Sequence, residues 1–251
     1  MKERKQRIAA AFSAAAASYD SHAEAQIRTA GLLAERLPPL PAAPRVLELG
    51  CGTGILTRRL LDRLGPDADL LATDLSPAMI ARSRDTLHDP RLRFAVMDAE
   101  APTVAPAAFD LVVSSLAAQW FADLPAALDR LVGLLKPGGH LLIATLGAGT
   151  FAEWRAAHAE MGLEAGIADY PDAAELAAMA KGARVDSVPF TLTHDHARAF
   201  LSTLSSLGAT TPKPGHRPLP AGALRRIMAR LGGPFAITWD ILILSVTKGL
   251  K

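Results

Sequence analysis

The chain has 251 residues, half of them hydrophobic and 21% charged, which is enough to bury a full core and too apolar for global disorder. A formal charge of +2 is too small to argue for nucleic acid, and no apolar run approaches the roughly 20 residues that cross a bilayer, so neither nucleic acid nor a membrane is expected as a partner. The single cysteine, Cys51, excludes an internal disulfide and a cysteine-based metal cluster, and the charged start before an alanine-rich stretch makes a poor secretory signal, so the default location is cytoplasmic.

Ile8, Phe12 and Ala15, then Ile27, Leu32, Leu33 and Leu37, repeat at helical spacing and predict two amphipathic helices over 5–17 and 23–37, joined at Ser18-Tyr19-Asp20-Ser21-His22. Pro38, Pro39, Pro41 and Pro44 end the second. From Arg45 the chain alternates strand and helix in the manner of a doubly wound α/β sheet. Strands are predicted at 45–49, 69–74, 91–97, 109–114 and 139–145, with helices near 54–64, 77–87 and 124–135. Ser76-Pro77 reads as an N-cap with proline in the first turn, and Lys136-Pro137-Gly138-Gly139 as a helix stop and turn. Beyond Leu146, helices are expected at 150–161, 172–181, 195–207 and 221–231, and strands at 184–193 and 237–247. One domain over 1–251 is expected, with a helical preface at 1–40, a core at 41–149, and a closing half at 150–251 that carries a cap insert at about 195–233. His194-x-His196 has no acidic or cysteine partner nearby, so helix capping is preferred over a metal site.

Val46-Leu47-Glu48-Leu49-Gly50-Cys51-Gly52-Thr53-Gly54 is a buried strand followed by a glycine turn and a helix start. Glycines there can take positive φ and let a ligand lie on bare backbone, with the free N–H groups of the next helix behind it. A dinucleotide fold wants G-x-G-x-x-G, whereas this chain has G-x-G-x-G with Glu48 in front.

That pattern resembles the glycine-rich motif of class I S-adenosylmethionine methyltransferases. The resemblance implies a Rossmann-like, seven-stranded and mostly parallel sheet with a reversed final strand. It also implies S-adenosylmethionine bound at Glu48, Gly50, Cys51, Gly52 and Gly54. Asp74 is expected to accept the ribose hydroxyls, with Leu75 and Met79 flanking the adenine and Asp98 and Ala99 reading its edge. Ser114, Ser115, Gln119 and Trp120 follow the fourth strand and should face the methyl group. Glu48 is left two roles, bonding the amino group through water or ordering the loop.

Tyr19-Asp20-x-His22-Ala23-x-x-Gln26, Ser114 to Trp120 with Asp123-Leu124, Gly149-Thr150-Phe151, and Leu207-Gly208-Ala209-Thr210 are similar to the BioC family of malonyl-acyl-carrier-protein O-methyltransferases. The activity implied is methylation of the free carboxylate of malonyl-acyl carrier protein, with malonyl-CoA as an alternative acceptor, at the start of biotin synthesis. A carboxylate is already ionised at neutral pH and needs a cation rather than a general base. Arg28, Lys213, His216 and Arg217 are the candidates. Tyr19 and His22 would form a lid, and the basic helix with Arg225, Arg226 and Arg230 would steer an acidic carrier. The Ser114-Ser115 pair also resembles methyltransferase-like assembly factors, which leaves a non-methylating role or another acceptor as the alternative.

Overall fold

Seven strands form one sheet in the order β3-β2-β1-β4-β5-β7-β6. In the computed structural model, which describes residues 2–213 and 215–250, they are β1 Arg45–Leu49, β2 Asp69–Asp74, β3 Leu92–Val96, β4 Phe109–Ser115, β5 Leu135–Leu146, β6 Arg184–His194 and β7 Phe235–Thr247. Pairing is parallel from β3 across to β5. β7 alone is reversed, antiparallel to both β5 and β6. Pro214, in the predicted insert, lies outside the described residues.

The central strands are apolar on both faces because helices cover both. Val46, Leu111 and Val113 pack toward α2 (Glu24–Glu35) and α3 (Ile55–Arg63) through Leu33, Leu56 and Leu60. The alternate residues Leu47, Leu49 and Val112 pack toward α5 (Leu124–Leu134) through Leu128 and Leu131. Each such leucine contributes about 1.5–3 kcal/mol on burial. The sheet is thereby a rigid base, and its strand ends hold the loops that matter.

Local signals set the helix starts. The Ser76 hydroxyl accepts from the Met79 N–H at 3.2 Å and Pro77 opens α4 (Pro77–Thr86). Asp123 caps α5 in the same way. Asp172 and Glu175 form a reciprocal capping box on α7 (Ala173–Ala178). His196 Nδ1 accepts from the Ala199 N–H at 3.0 Å and so caps α8 (Ala197–Ser206). With α9 (Ala221–Leu231), α8 makes the helical insert between β6 and β7, and α9 packs on α6 (Ala152–Ala159).

Several boundaries depart from the sequence reading: α6 and α7 are shorter than expected and β7 begins at Phe235 rather than 237. Lys136-Pro137-Gly138-Gly139 is not a turn after a helix but the irregular start of β5, whose register against β4 shifts between Phe109 and Leu111. Glycine is needed at 139, where a Cβ would stand 3.0 Å from the Phe109 and Lys136 carbonyl oxygens. The first helix, α1, spans Lys2–Ala15, earlier than expected, and Tyr19–His22 form a single 3-10 turn. α2 ends at Glu35 rather than Leu37, because Pro38 disfavours helical backbone at the residue before it.

Candidate active site

β1 delivers the chain to Gly50 at the carboxyl edge of the sheet, where φ is 69°. A Cβ there would collide with the Ala117 side chain, so glycine lets the loop after β4 close against it. Gly52, with φ 56° and open space where a Cβ would stand, turns its N–H onto Asp74 Oδ2 at 2.9 Å. The other oxygen of Asp74 accepts from the Ser76 N–H at 2.7 Å. One carboxylate at the end of β2 thus ties together two loops. Burial pushes its pKa up against those backbone hydrogen bonds.

Gly50, Gly52, Asp74, Leu75, Met79, Asp98 and Ala99 together line a cavity roofed by Lys5, Ile8 and Phe12 of α1. This brings together most of the expected cofactor set, but four members stand apart. Glu48 is buried, accepts from the Thr57 hydroxyl at 2.7 Å, and joins β1 to α3 rather than lining the cavity. That contact spans the glycine loop, from the strand before it to the helix after it. Cys51 turns its thiol into a small apolar cluster with Ala72 and Ile80, because the residue alternates away from the cavity. Gly54, at φ 88°, starts α3, and a Cβ there would come within 2.5 Å of Leu87 on the far side. Ser114 is buried and donates to the Leu49 carbonyl at 2.8 Å, holding β4 to β1. Its neighbour Ser115 lines the cavity instead.

Burial raises the Glu48 carboxyl to about 8, only partly opposed by the Thr57 hydroxyl, with the nearby Asp74 charge adding to the rise. Below the ordinary carboxylate value of 4.5 both folded and unfolded states hold the proton. As pH rises toward about 8 the unfolded state releases it first, so stability falls through that window. Glu48→Gln is therefore expected to unfold at a higher temperature than the parent at pH 8 and to lose that advantage at pH 5. Thermal melts at the two pH values check this, and an advantage of equal size at both would mean Glu48 is ionised throughout.

A second cavity of about 290 Å³ adjoins the first. Phe12, Tyr19, Leu116 and Trp120 line both and so form the wall they share. The rings of Phe12 and Trp120 meet edge to face at 5.6 Å, and Tyr19 leans on Phe12 at 6.4 Å. Burial and the charges of Asp74 and Asp20 push the Tyr19 phenol well above its ordinary value, so it stays a neutral donor. The rest of the second cavity is mostly aromatic and aliphatic, including Phe151, Trp154, Tyr170 and Trp239, with Ala209 to Pro212 of the insert at one side. Gln119 lines it too, its Nε2 donating to the Leu116 carbonyl at 2.6 Å.

The expected cations behave differently. Arg28 lies over the Phe190 ring at 4.3 Å and lines neither cavity. Lys213 pairs with Glu164 at 3.0 Å, and Arg217 is exposed. Neither lines a cavity, because the insert turns only its apolar and small residues and His216 inward. His22 turns its Nδ1 to the Ser18 carbonyl at 3.1 Å within its own turn and also stands outside both linings. On α9, Arg225 and Arg226 are exposed, whereas Arg230 is paired with Glu160 at 2.7 Å.

α1 supplies what the sequence reading missed. Arg4 Nη1 donates to the Trp120 carbonyl at 3.0 Å, and Lys5 bridges Asp98 and Glu100 at 2.6 and 2.7 Å. Ser13 and Ser76 share a hydrogen bond at 2.7 Å, and Asp20 accepts from Thr53 of the glycine loop. Arg4 and Lys5 read as part of a charged terminus, yet they stand on one helical face with Ile8 and Phe12, at spacings of three, four, seven and eight. That periodicity was the available signal.

Residues 46–139 match a family described as "Methyltransferase domain". The chain is 44% identical over 239 residues to malonyl-acyl-carrier-protein O-methyltransferase of Magnetococcus marinus, covering 90% of this chain and 87% of that protein. It is 47% identical over 223 residues to the biotin biosynthesis bifunctional protein BioCD of Bordetella avium, covering 88% of this chain but spanning only 48% of that longer relative. Among solved structures it is similar in fold to Haemonchus contortus phosphoethanolamine N-methyltransferase 2 in complex with phosphomonomethylethanolamine and S-adenosylhomocysteine. The TM-score is 0.57 at 18% identity, over 88% of this chain and 52% of that one. Among the described residues no helix is long and apolar enough to cross a membrane.

Proposed function

The chain belongs to the malonyl-acyl-carrier-protein O-methyltransferase family, and from that membership we propose that it transfers the methyl group of S-adenosylmethionine to the free carboxylate of malonyl-acyl carrier protein, giving the methyl ester used in biotin synthesis. The observation that carries this reading is the pair of cavities meeting at Phe12, Tyr19, Leu116 and Trp120. One is built for a donor with ribose and adenine, the other for an acyl arm.

S-adenosylmethionine supplies an electrophilic methyl on a sulfonium sulfur. Asp74 has lone pairs remaining for the ribose hydroxyls, since a carboxylate offers about four acceptor positions and its contacts here are backbone N–H groups of Gly52, Leu75 and Ser76. Leu75 and Met79 would pack on the adenine, with Asp98 and the Ala99 backbone at its edge. Gly50 and Gly52 keep the loop free of side chains there. The acceptor carboxylate needs no base, so the chain's task is alignment and exclusion of water. The Phe12–Trp120 wall serves exclusion, and Tyr19, a neutral hydroxyl lining both cavities, serves alignment and completes the lid. The exposed Arg225 and Arg226 suit the acidic surface of a carrier protein in the cytoplasm.

Incubation with methyl-labelled S-adenosylmethionine tests the reading. Label is expected on malonyl-acyl carrier protein, none on the carrier lacking the malonyl group, and less on malonyl-CoA, which offers the same arm without the protein surface. Absence of label from the malonylated carrier would sink it and favour the assembly-factor reading.

A further inference from the structure

Arg4 is the one side chain of permanent charge lining the acceptor cavity among the described residues, and no carboxylate lines that cavity. One guanidinium nitrogen is held by the Trp120 carbonyl at 3.0 Å, in the wall shared with the donor cavity. Its Nε is buried and has no hydrogen-bond partner. Three further lining residues also carry an unpartnered buried polar atom: Gln26, Gln119 and Trp239. Arg4 Nε and Trp239 Nε1 are donors, and the Gln26 amide can reverse to present its own N–H, whereas Gln119 keeps its Nε2 on the Leu116 carbonyl. An apolar enclosure that gathers idle donors around one cation, and excludes acidic groups, favours an anion over a neutral ligand of the same shape.

We propose that Arg4 binds the acceptor carboxylate and makes the enzyme selective for acidic over neutral acyl groups. The assignment rests on the carboxyl-methylating reading and supplies the permanent cation that Arg28, Lys213 and Arg217 do not, with His216 of the insert lining the same cavity. Anchoring at the Trp120 carbonyl fixes the guanidinium, so it grips the carboxylate from one edge. A lone pair remains free to attack the methyl carbon: the new O–CH₃ bond forms as the S–CH₃ bond breaks, and its electron pair stays on sulfur.

The test compares the parent with Arg4→Gln and Arg4→Lys on malonyl-acyl carrier protein. Binding of S-adenosylhomocysteine is measured alongside, and so is inhibition by the carboxamide analogue of the malonyl carrier. For Arg4→Gln the KM for the malonyl carrier is expected to rise about tenfold to a hundredfold, the loss of a charged hydrogen-bond partner. Arg4→Lys should recover part of that. Affinity for S-adenosylhomocysteine and inhibition by the neutral carboxamide should stay within twofold of the parent. An unchanged KM overturns the proposal. So does a parallel loss of cofactor and carboxamide binding, which would mean that Arg4 only anchors α1. Failure of the parent itself to methylate the malonyl carrier would instead overturn the reading on which the proposal rests.

Discussion

Asp74→Ala is expected to weaken S-adenosylhomocysteine binding by at least about a hundredfold while leaving a folded protein. The carboxylate accepts from Gly52 at 2.9 Å and from Ser76 at 2.7 Å, and in the proposed complex it also takes the ribose hydroxyls. Two hydrogen bonds to a charged acceptor, at about 1.5–3 kcal/mol each, set the scale of the loss. The sheet does not depend on them, since Asp74 pairs with Val96 through backbone alone. Asp74→Asn keeps one carbonyl acceptor and should fall between the two. Calorimetric titration reads the series, and parent-like affinity in the alanine variant would remove Asp74 from the donor site.

Gly208→Ala should cost more stability than Gly182→Ala, a change at a turn glycine of similar φ. Gly208 ends α8 at φ 72°, with its N–H on the Ser205 carbonyl and the Ala209 N–H on the Leu204 carbonyl, a Schellman arrangement. A Cβ there would stand 2.7 Å from the Ala11 carbonyl oxygen and 3.0 Å from the Phe12 nitrogen. That neighbour is helix backbone and cannot step aside. Gly182, at φ 75° with nothing near its would-be Cβ, isolates the conformational part, roughly 1–2 kcal/mol. The excess at Gly208 is an overpacking cost of about 1–3 kcal/mol. It should appear as a larger drop in melting temperature and, because Ala209 to Pro212 line the acceptor cavity, as a raised KM for the acceptor. Equal melting temperatures for the two variants would mean that the insert does not bear on α1.

The parallel core was legible because buried strands advertise themselves as apolar runs ending in glycine or aspartate, as at Leu49-Gly50 and Thr73-Asp74. Residues at or just after those ends, Asp74 and Asp98, line one cavity together with Met79 of α4. Ser114 and Cys51 went astray because period-two alternation decides which of two adjacent residues faces the ligand, and a one-residue uncertainty at a strand end reverses the answer. The acceptor side was harder. Its wall comes from α1, the loop after β4, β7 and the insert, and contacts across more than a hundred residues leave no local trace. Charge near the insert pointed to Lys213 and Arg217, whereas the lining cation comes from the first turn of α1. Trp239 alternates inward with Ile237 and Ile241 on β7 and reads as ordinary core until the cavity beside it is known.

α1 bears on both cavities through adjacent residues, Lys5 over Asp98 and Arg4 at the Trp120 carbonyl. A helix moves as one body, so a displacement that lifts Lys5 from the first cavity also withdraws Arg4 from the second. The fold therefore ties the two cavities mechanically: a rigid displacement of α1 breaks the Lys5–Asp98 and Arg4–Trp120 contacts together.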